Sequence, residues 1–131
     1  MSRQNISSGS YLEPQIGFSR AVRIGNTVAI GGTAPIAAEG GTDCVGDVYG
    51  QTKRCLEIAL AALSSAGGTA QDVIRTRIIL TDIRTYKDAA RAHAEVFTDI
   101  RPVTTVMEVS AFVDPDWLVE IELDAILKDQ K

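Results

Sequence analysis

The sequence predicts an α+β fold, a mixed β-sheet with two helices packed on one face. Three observations carry that prediction. The last third of the chain alternates: in 118–127, Val119, Ile121, Leu123, Ala125 and Leu127 point one way and Glu120, Glu122 and Asp124 the other, the period-two mark of a strand with one apolar face. Two other stretches place apolar residues three and four apart, as amphipathic helices do. The segments follow the order ββ-α-β-α-ββ, with hairpins at both ends and helices as crossovers.

Taken in order, residues 1–15 are polar and Gly/Ser-bearing and read as a loose lead-in. Phe18–Ile24 reads as a strand, with Phe18, Arg20, Val22 and Ile24 on one side. Gly25-Asn26 is a turn candidate, because both residues tolerate positive φ. Thr27–Thr33 completes a hairpin, and its Gly31-Gly32 pair marks a bulge or the close approach of another group to the backbone. After a Gly-rich loop, a helix is expected from about Asp47 to Ala66. Its buried stripe is Val48, Thr52, Cys55, Leu56, Ala59, Leu63 and Ala66, and Gly67-Gly68 ends it. Thr69–Asp72 has the form of a capping box. Ile74–Thr81 is the next strand, with Arg75, Arg77 and Ile79 on one side. Thr85–Asp88 resembles a second capping box, opening a helix to about Asp99 that buries Tyr86, Ala89, Ala90, His93, Val96 and Phe97. Arg101-Pro102 stops it, since the residue before proline avoids the helical region. Residues 101–110 and 118–127 then form an antiparallel hairpin around Asp114-Pro115-Asp116. In that register Glu120 faces Glu108 and Thr104 faces roughly Asp124.

At 131 residues the chain is expected to be a single domain, 1–131, with an ordinary soluble composition. No apolar run is long enough to span a bilayer, and the N-terminal residues lack the apolar core of a signal peptide, so the expected location is cytoplasmic. The net charge of −4, with no basic stripe, argues against nucleic acid as a partner. Cys44 and Cys55 lack metal-ligand or redox spacing, and no phosphate loop or dinucleotide fingerprint is present. His93 has no nucleophile motif around it and reads as a packing residue. Trp117 reads as a loop anchor at the edge of the core. The helices cover one sheet face, and the mixed polar and aliphatic other face invites a closed cyclic oligomer.

Glu120 is the candidate for chemistry. A carboxylate on a central strand that enters a cleft is partly desolvated, which raises its pKa and suits it to activate water. The plain alternative is a solvated strand face carrying Glu120, Glu122 and Asp124. Thr104 and Glu120 fall about four residues apart along the expected sheet, or ~13 Å, so they would share a site only across a subunit boundary.

The order and spacing of Ile16–Asn26, Ile30-Gly-Gly-Thr-Ala-Pro35, Gln51–Glu57, Val73–Ile83, Arg101–Val109 and Val119–Ala125 resemble the Rid family of reactive-intermediate deaminases, also called YjgF-like. The resemblance covers nearly the whole chain from about residue 16. It implies a chorismate-mutase-like subunit, a homotrimer, and clefts between subunits that bind a small-molecule metabolite. It further implies cofactor-free, metal-free hydrolysis of imine and enamine acids. In the family's active subgroup an arginine in a Pro-x-Arg-x-x-x-Glu-Val stretch clamps the substrate carboxylate; here Pro102–Val109 puts Thr104 in its place. Glu120 matches the family's water-activating glutamate. Phe18 falls near the family's aromatic and Gly31 near its serine. The implied substrate-binding set is therefore Thr104, Thr105, Phe18 and Gly31, with Arg101 as a replacement cation. Arg101 has a second reading, as a charge capping the preceding helix.

Overall fold

Alternation becomes a six-stranded sheet in the computed structural model, which describes residues 2–128; Met1 and residues 129–131, the ends of the expected domain, lie outside the described residues. The strands are β1 (Arg3–Ile6), β2 (Ala21–Ile24), β3 (Thr27–Thr33), β4 (Val73–Leu80), β5 (Val103–Glu108) and β6 (Val119–Ile126), in the spatial order β1-β2-β3-β6-β4-β5. The β4–β5 pair is parallel and the other pairs are antiparallel. Helices α1 (Leu12–Ile16), α2 (Val48–Ser65) and α3 (Tyr86–Phe97) complete the mixed α+β architecture.

The core forms where alternating strands meet the helical stripe. Val119, Ile121, Leu123 and Ala125 of β6 and Ile78 and Leu80 of β4 are buried on the helix side, against Cys55, Leu56, Ala59 and Leu63 of α2. All seven residues of the expected α2 stripe are buried. Asp47 caps the helix by accepting the Gly50 N–H, and Gly67 turns left-handed (φ 95°) behind it. The opposite face carries Arg75, Arg77, Glu120, Glu122 and Asp124, none of which is buried.

Four expectations are corrected. The lead-in is structured: β1 pairs with β2, from Arg3↔Ile24 to Ile6↔Ala21. Only Ile6 of that strand is buried, so backbone hydrogen bonds rather than an apolar pattern hold the edge, and alternation could not reveal it. The closing segments are not a hairpin. Helix α3 carries the chain across to a strand parallel to β4, and β6 returns on the far side of β4. Glu120 therefore pairs with Ile79, and Thr104 with Thr76. The connection hugs the end of β4 through Val109 N–H to Leu80 O (2.8 Å) and Thr81 N–H to Leu118 O (3.2 Å). Finally, Thr85 does not cap α3. Asp82 opens a 3-10 turn ahead of it, the Thr85 hydroxyl donates to Asp82 O, and Tyr86 is left exposed. The Thr69–Asp72 capping box does form in both directions.

Candidate functional site

Three carboxylates alternate along the open face of β6, and their surroundings differ. Glu122 accepts an ion pair from Arg77 at 3.0 Å, and Asp124 lies 3.8 Å from Arg75 and 3.9 Å from Arg77. Glu120 is half-buried, and among the described residues its carboxylate forms no hydrogen bond and no ion pair. Burial pushes its pKa up; the charge of Arg20 pulls the other way, and Glu122 adds to the rise.

What shelters Glu120 is backbone. The β3–β6 register breaks between Ile30 and Thr33, and the Gly31-Gly32 pair sits in that bulge. A Cβ added at Gly32 would lie 2.6 Å from Glu120 Oε1. Glycine there is a matter of space: the carboxylate occupies the volume a side chain would need. The close approach to the backbone expected of this pair is made by the chain's own Glu120.

Arg20 props the bulge from the other side. It is only 4% exposed. Its Nη1 donates to Gly32 O (2.5 Å), Gly31 O (3.5 Å) and Thr33 Oγ1 (3.2 Å). Its Nε donates to the Ser8 hydroxyl at 3.3 Å, and that hydroxyl donates to the buried Glu13 at 2.8 Å. A hydroxyl thus bridges Arg20 to Glu13. Burial works against the Glu13 charge, but donors from Ser7, Ser8 and Ser10 outweigh it and hold the carboxyl low. The Arg20 guanidinium lies 5.2 Å from the centre of the Phe18 ring. The fold therefore gathers Glu120, Gly31 and Phe18 around Arg20, and Gly32 and Arg20 belong to this neighbourhood more directly than Phe18 does. An arginine directly before Ala21-Val22, on the same side of the expected strand as Phe18, was the available sequence signal.

Thr104 lies elsewhere. Its pairing with Thr76 puts it on the helix side, where its hydroxyl bonds Thr76 Oγ1 at 2.7 Å. Thr76 in turn meets His93 Nε2 of α3 at 2.8 Å, and the His93 ring packs on Phe97 with centroids 4.6 Å apart. Burial keeps the imidazole pKa low, so His93 is a satisfied packing histidine. Glu120 and Thr104 occupy opposite faces of the sheet, flanking β4. Thr105, beside Arg77, shares the face of Glu120. Glu108 is remote from Glu120 and accepts the Ile83 N–H at 2.9 Å.

Arg101 stands where α3 hands over to β5. Its N–H donates to Phe97 O at 2.8 Å, and its backbone is left-handed (φ 58°). The side chain is exposed and, among the described residues, forms no hydrogen bond or ion pair. It borders a shallow hollow of about 330 Å³ shared with His93, Phe97 and Pro102. Trp117 and Cys55 are both buried, as read from the sequence. Among the described residues no three metal-ligating side chains stand together, and no helix is long and apolar enough to cross a membrane.

Comparison with known proteins then places these features. The profile of the family described as Endoribonuclease L-PSP matches residues 9–127. A Mycobacterium tuberculosis protein, described as a member of the YjgF/YER057c/UK114 family, superimposes with a TM-score of 0.87 at 44% identity, covering 96% of this chain and 100% of that one. An uncharacterized protein of Streptomyces coelicolor is 38% identical over 125 residues, 93% of this chain and 90% of its own length. The 3-aminoacrylate deaminase RutC of Acinetobacter baylyi is 33% identical over 108 residues, 82% of this chain and 85% of its own.

Proposed function

Because the chain belongs to the Endoribonuclease L-PSP family, that of the YjgF and RutC proteins, we propose that it is a cytoplasmic homotrimer whose inter-subunit clefts bind a small metabolite and hydrolyse imine or enamine acids. The observation that carries this reading is Glu120. It is the carboxylate of its row left without an ion pair, half-buried, with a raised pKa and a side-chain-free glycine bulge beside it.

The chemistry follows from that environment. Glu120 takes a proton from water as oxygen attacks the imine carbon, and the nitrogen gains a proton as the C=N double bond becomes single. The resulting carbinolamine collapses to the carbonyl and ammonia, so one water is consumed and one ammonia released. An enamine enters after protonation at carbon. The open face of one subunit supplies Glu120, and the free edge of β5 in the next supplies the far wall. There Arg101, at the strand's entrance, holds the substrate carboxylate in place of the arginine that Thr104 replaces. Thr105 lines the same face. Phe18 and Gly31 shape the Glu120 side through Arg20.

The test is ammonia and oxo-acid release from 2-aminoacrylate and 3-aminoacrylate generated in situ. The wild type accelerates release, and Glu120→Gln lowers the rate by ~10²–10⁴, the usual share of a general base. Full activity in Glu120→Gln overturns the catalytic role. A limb of kcat/KM rising with pH, shifted upward from the ordinary carboxylate value, is the accompanying signature, because only ionised Glu120 accepts a proton.

One observation favours a second reading, a non-catalytic binding module of the same fold. Thr104 is committed to Thr76 and supplies no positive charge. No acceleration of either substrate by the wild type would select that reading. The net charge of −4 disfavours ribonucleic acid as substrate, and salt-sensitive RNA binding by the pure protein would reverse that judgement.

A further inference from the structure

A cavity lies apart from Glu120. About 530 Å³ opens on the helix side, beneath the loop from β3 to α2, with the segment around Ser8–Ser10 along one wall. Its size suits a small molecule. Glu120 does not line it, and neither does any residue of β5.

The wall chemistry is specific. Trp117, only 3% exposed, with Ile36, Ala37 and Ile58, forms an apolar side. Two guanidinium groups, of Arg20 and Arg54, form the polar side. Neither has a carboxylate within ion-pair distance among the described residues. Arg54 spends only its Nε, on Ile36 O at 2.7 Å, and Arg20 leaves Nη2 without a hydrogen bond among the described residues. Arg20 is almost wholly buried, and a cation withdrawn from water without a direct counter-ion sits at a cost that an anion beside it would offset. Asp114 also lines the cavity, while Glu13 reaches Arg20 only through the Ser8 hydroxyl and Glu120 acts on it only at a distance. The cavity wall itself sets one carboxylate against two guanidinium groups, which favours a single negative charge on the guest over two.

We infer that this cavity is a second binding site, for a small monocarboxylate with an apolar body, distinct from the cleft that holds Glu120. The carboxylate meets Arg54 and the free edge of Arg20, and the apolar body packs on Trp117. Nothing in this assignment depends on turnover at Glu120.

Trp117 is the only tryptophan in the chain, so its fluorescence reads the site directly. Titration with phenylacetate is expected to give a saturable change in emission. The neutral isostere phenylacetamide should bind at least about tenfold more weakly, because it gives up charge-assisted hydrogen bonds. Arg54→Gln should weaken phenylacetate by a similar factor, and Glu120→Gln, which removes a negative charge near Arg20, should not weaken it. Ile58→Phe, which fills the cavity and keeps both charges, should abolish the response while circular dichroism shows a folded protein. An equal response to the amide overturns the proposal. So does full affinity in Arg54→Gln or in Ile58→Phe, or no saturable change at high millimolar phenylacetate. Loss of binding in Glu120→Gln would assign the anion to the catalytic cleft and also overturn it.

Discussion

Glu120 and Thr104 flank the same strand, β4, one on each side, and the chain prepares them to different degrees. The Glu120 side is finished within one subunit: β3, the glycine bulge, Arg20 and Phe18 fix its surroundings before any partner arrives. The Thr104 side is an edge. Among the described residues nothing pairs with the outer border of β5, Val103 is 64% exposed, and the Thr104 hydroxyl bonds Thr76 on the helix side. A site that joins the two can be completed only when the edge of one subunit meets the open face of another. The difference teaches where the proposed assembly would have to act, and it can be attacked from either side.

The largest effect is expected at the edge. Val103 projects from β5 on the open face beside Arg75, so Val103→Asp places a charge where a neighbouring subunit would desolvate it, a cost of several kcal/mol per contact. The proposed trimer should then sediment as a monomer, and the proposed turnover should vanish with it although Glu120 is untouched. A variant that remains trimeric would remove β5 from the interface and with it the shared cleft.

Next comes the finished side. Gly32→Ala puts a methyl group on the present position of Glu120 Oε1. The clash involves the flexible end of a side chain, so the carboxylate moves and the fold survives. Misplacing a catalytic group by about 1 Å costs on the order of 10² in rate, and kcat should fall by that factor with little loss of stability. Stability carries a separate sign. A carboxyl with a raised folded pKa binds more protons folded than unfolded between the ordinary carboxylate value and the raised one. The wild type should therefore lose stability as pH rises through that window. Glu120→Gln should flatten the loss in urea titrations at successive pH values, and an unchanged slope would show that Glu120 is not desolvated.

The same contrast explains what the sequence revealed. The α2 stripe, its Asp47 and Gly67 ends, and the two faces of β6 were legible because burial writes a period into the residues. The bulge at Gly31-Gly32 was legible as an oddity, though not its occupant. The strand order was not. A period of two says which residues share a face, and nothing about whether β5 and β6 are neighbours or are parted by β4. For that reason the expected facing of Glu120 with Glu108 failed, and Thr104 and Glu108 fell on the helix side, away from Glu120, while the two faces of β6 itself held. The polar edge strand β1 and the hydroxyl bridge from Arg20 to Glu13 were hidden for a related reason. Both rest on hydrogen bonds between distant segments, which leave no pattern in composition or spacing.

A smaller gain is expected from restoring charge at the edge. In Thr104→Arg the lost hydroxyl leaves Thr76 its bond to His93, so the packing beneath should hold. Position 104 is exposed, and a guanidinium there can swing past the edge of β5 toward a partner's Glu120. A bidentate contact with a substrate carboxylate should raise kcat/KM for 2-imino acids by ~10-fold and leave substrates without a carboxylate unchanged. Equal effects on both classes would mean the new arginine acts on the fold rather than on the substrate.

The smallest effect is also the one that separates structure from function most sharply. Arg101 holds a left-handed backbone (φ 58°) that costs a non-glycine residue about 1 kcal/mol. Its N–H to Phe97 O closes the last turn behind α3 whatever side chain follows. Arg101→Gly keeps that turn and removes the steric cost, so the urea midpoint should rise by the equivalent of about 1 kcal/mol, less the extra freedom glycine gives the unfolded chain. A purely structural residue would show that gain alone. A clamp shows two opposite changes: stability rises while KM for the carboxylate substrate climbs about tenfold and kcat holds, since an interaction equal in ground and transition states has been removed. We expect the second pattern. It would mean that the chain tolerates a strained arginine at the entrance of β5 because the charge is needed there, at an edge that lacks its guest until a second subunit closes the cleft.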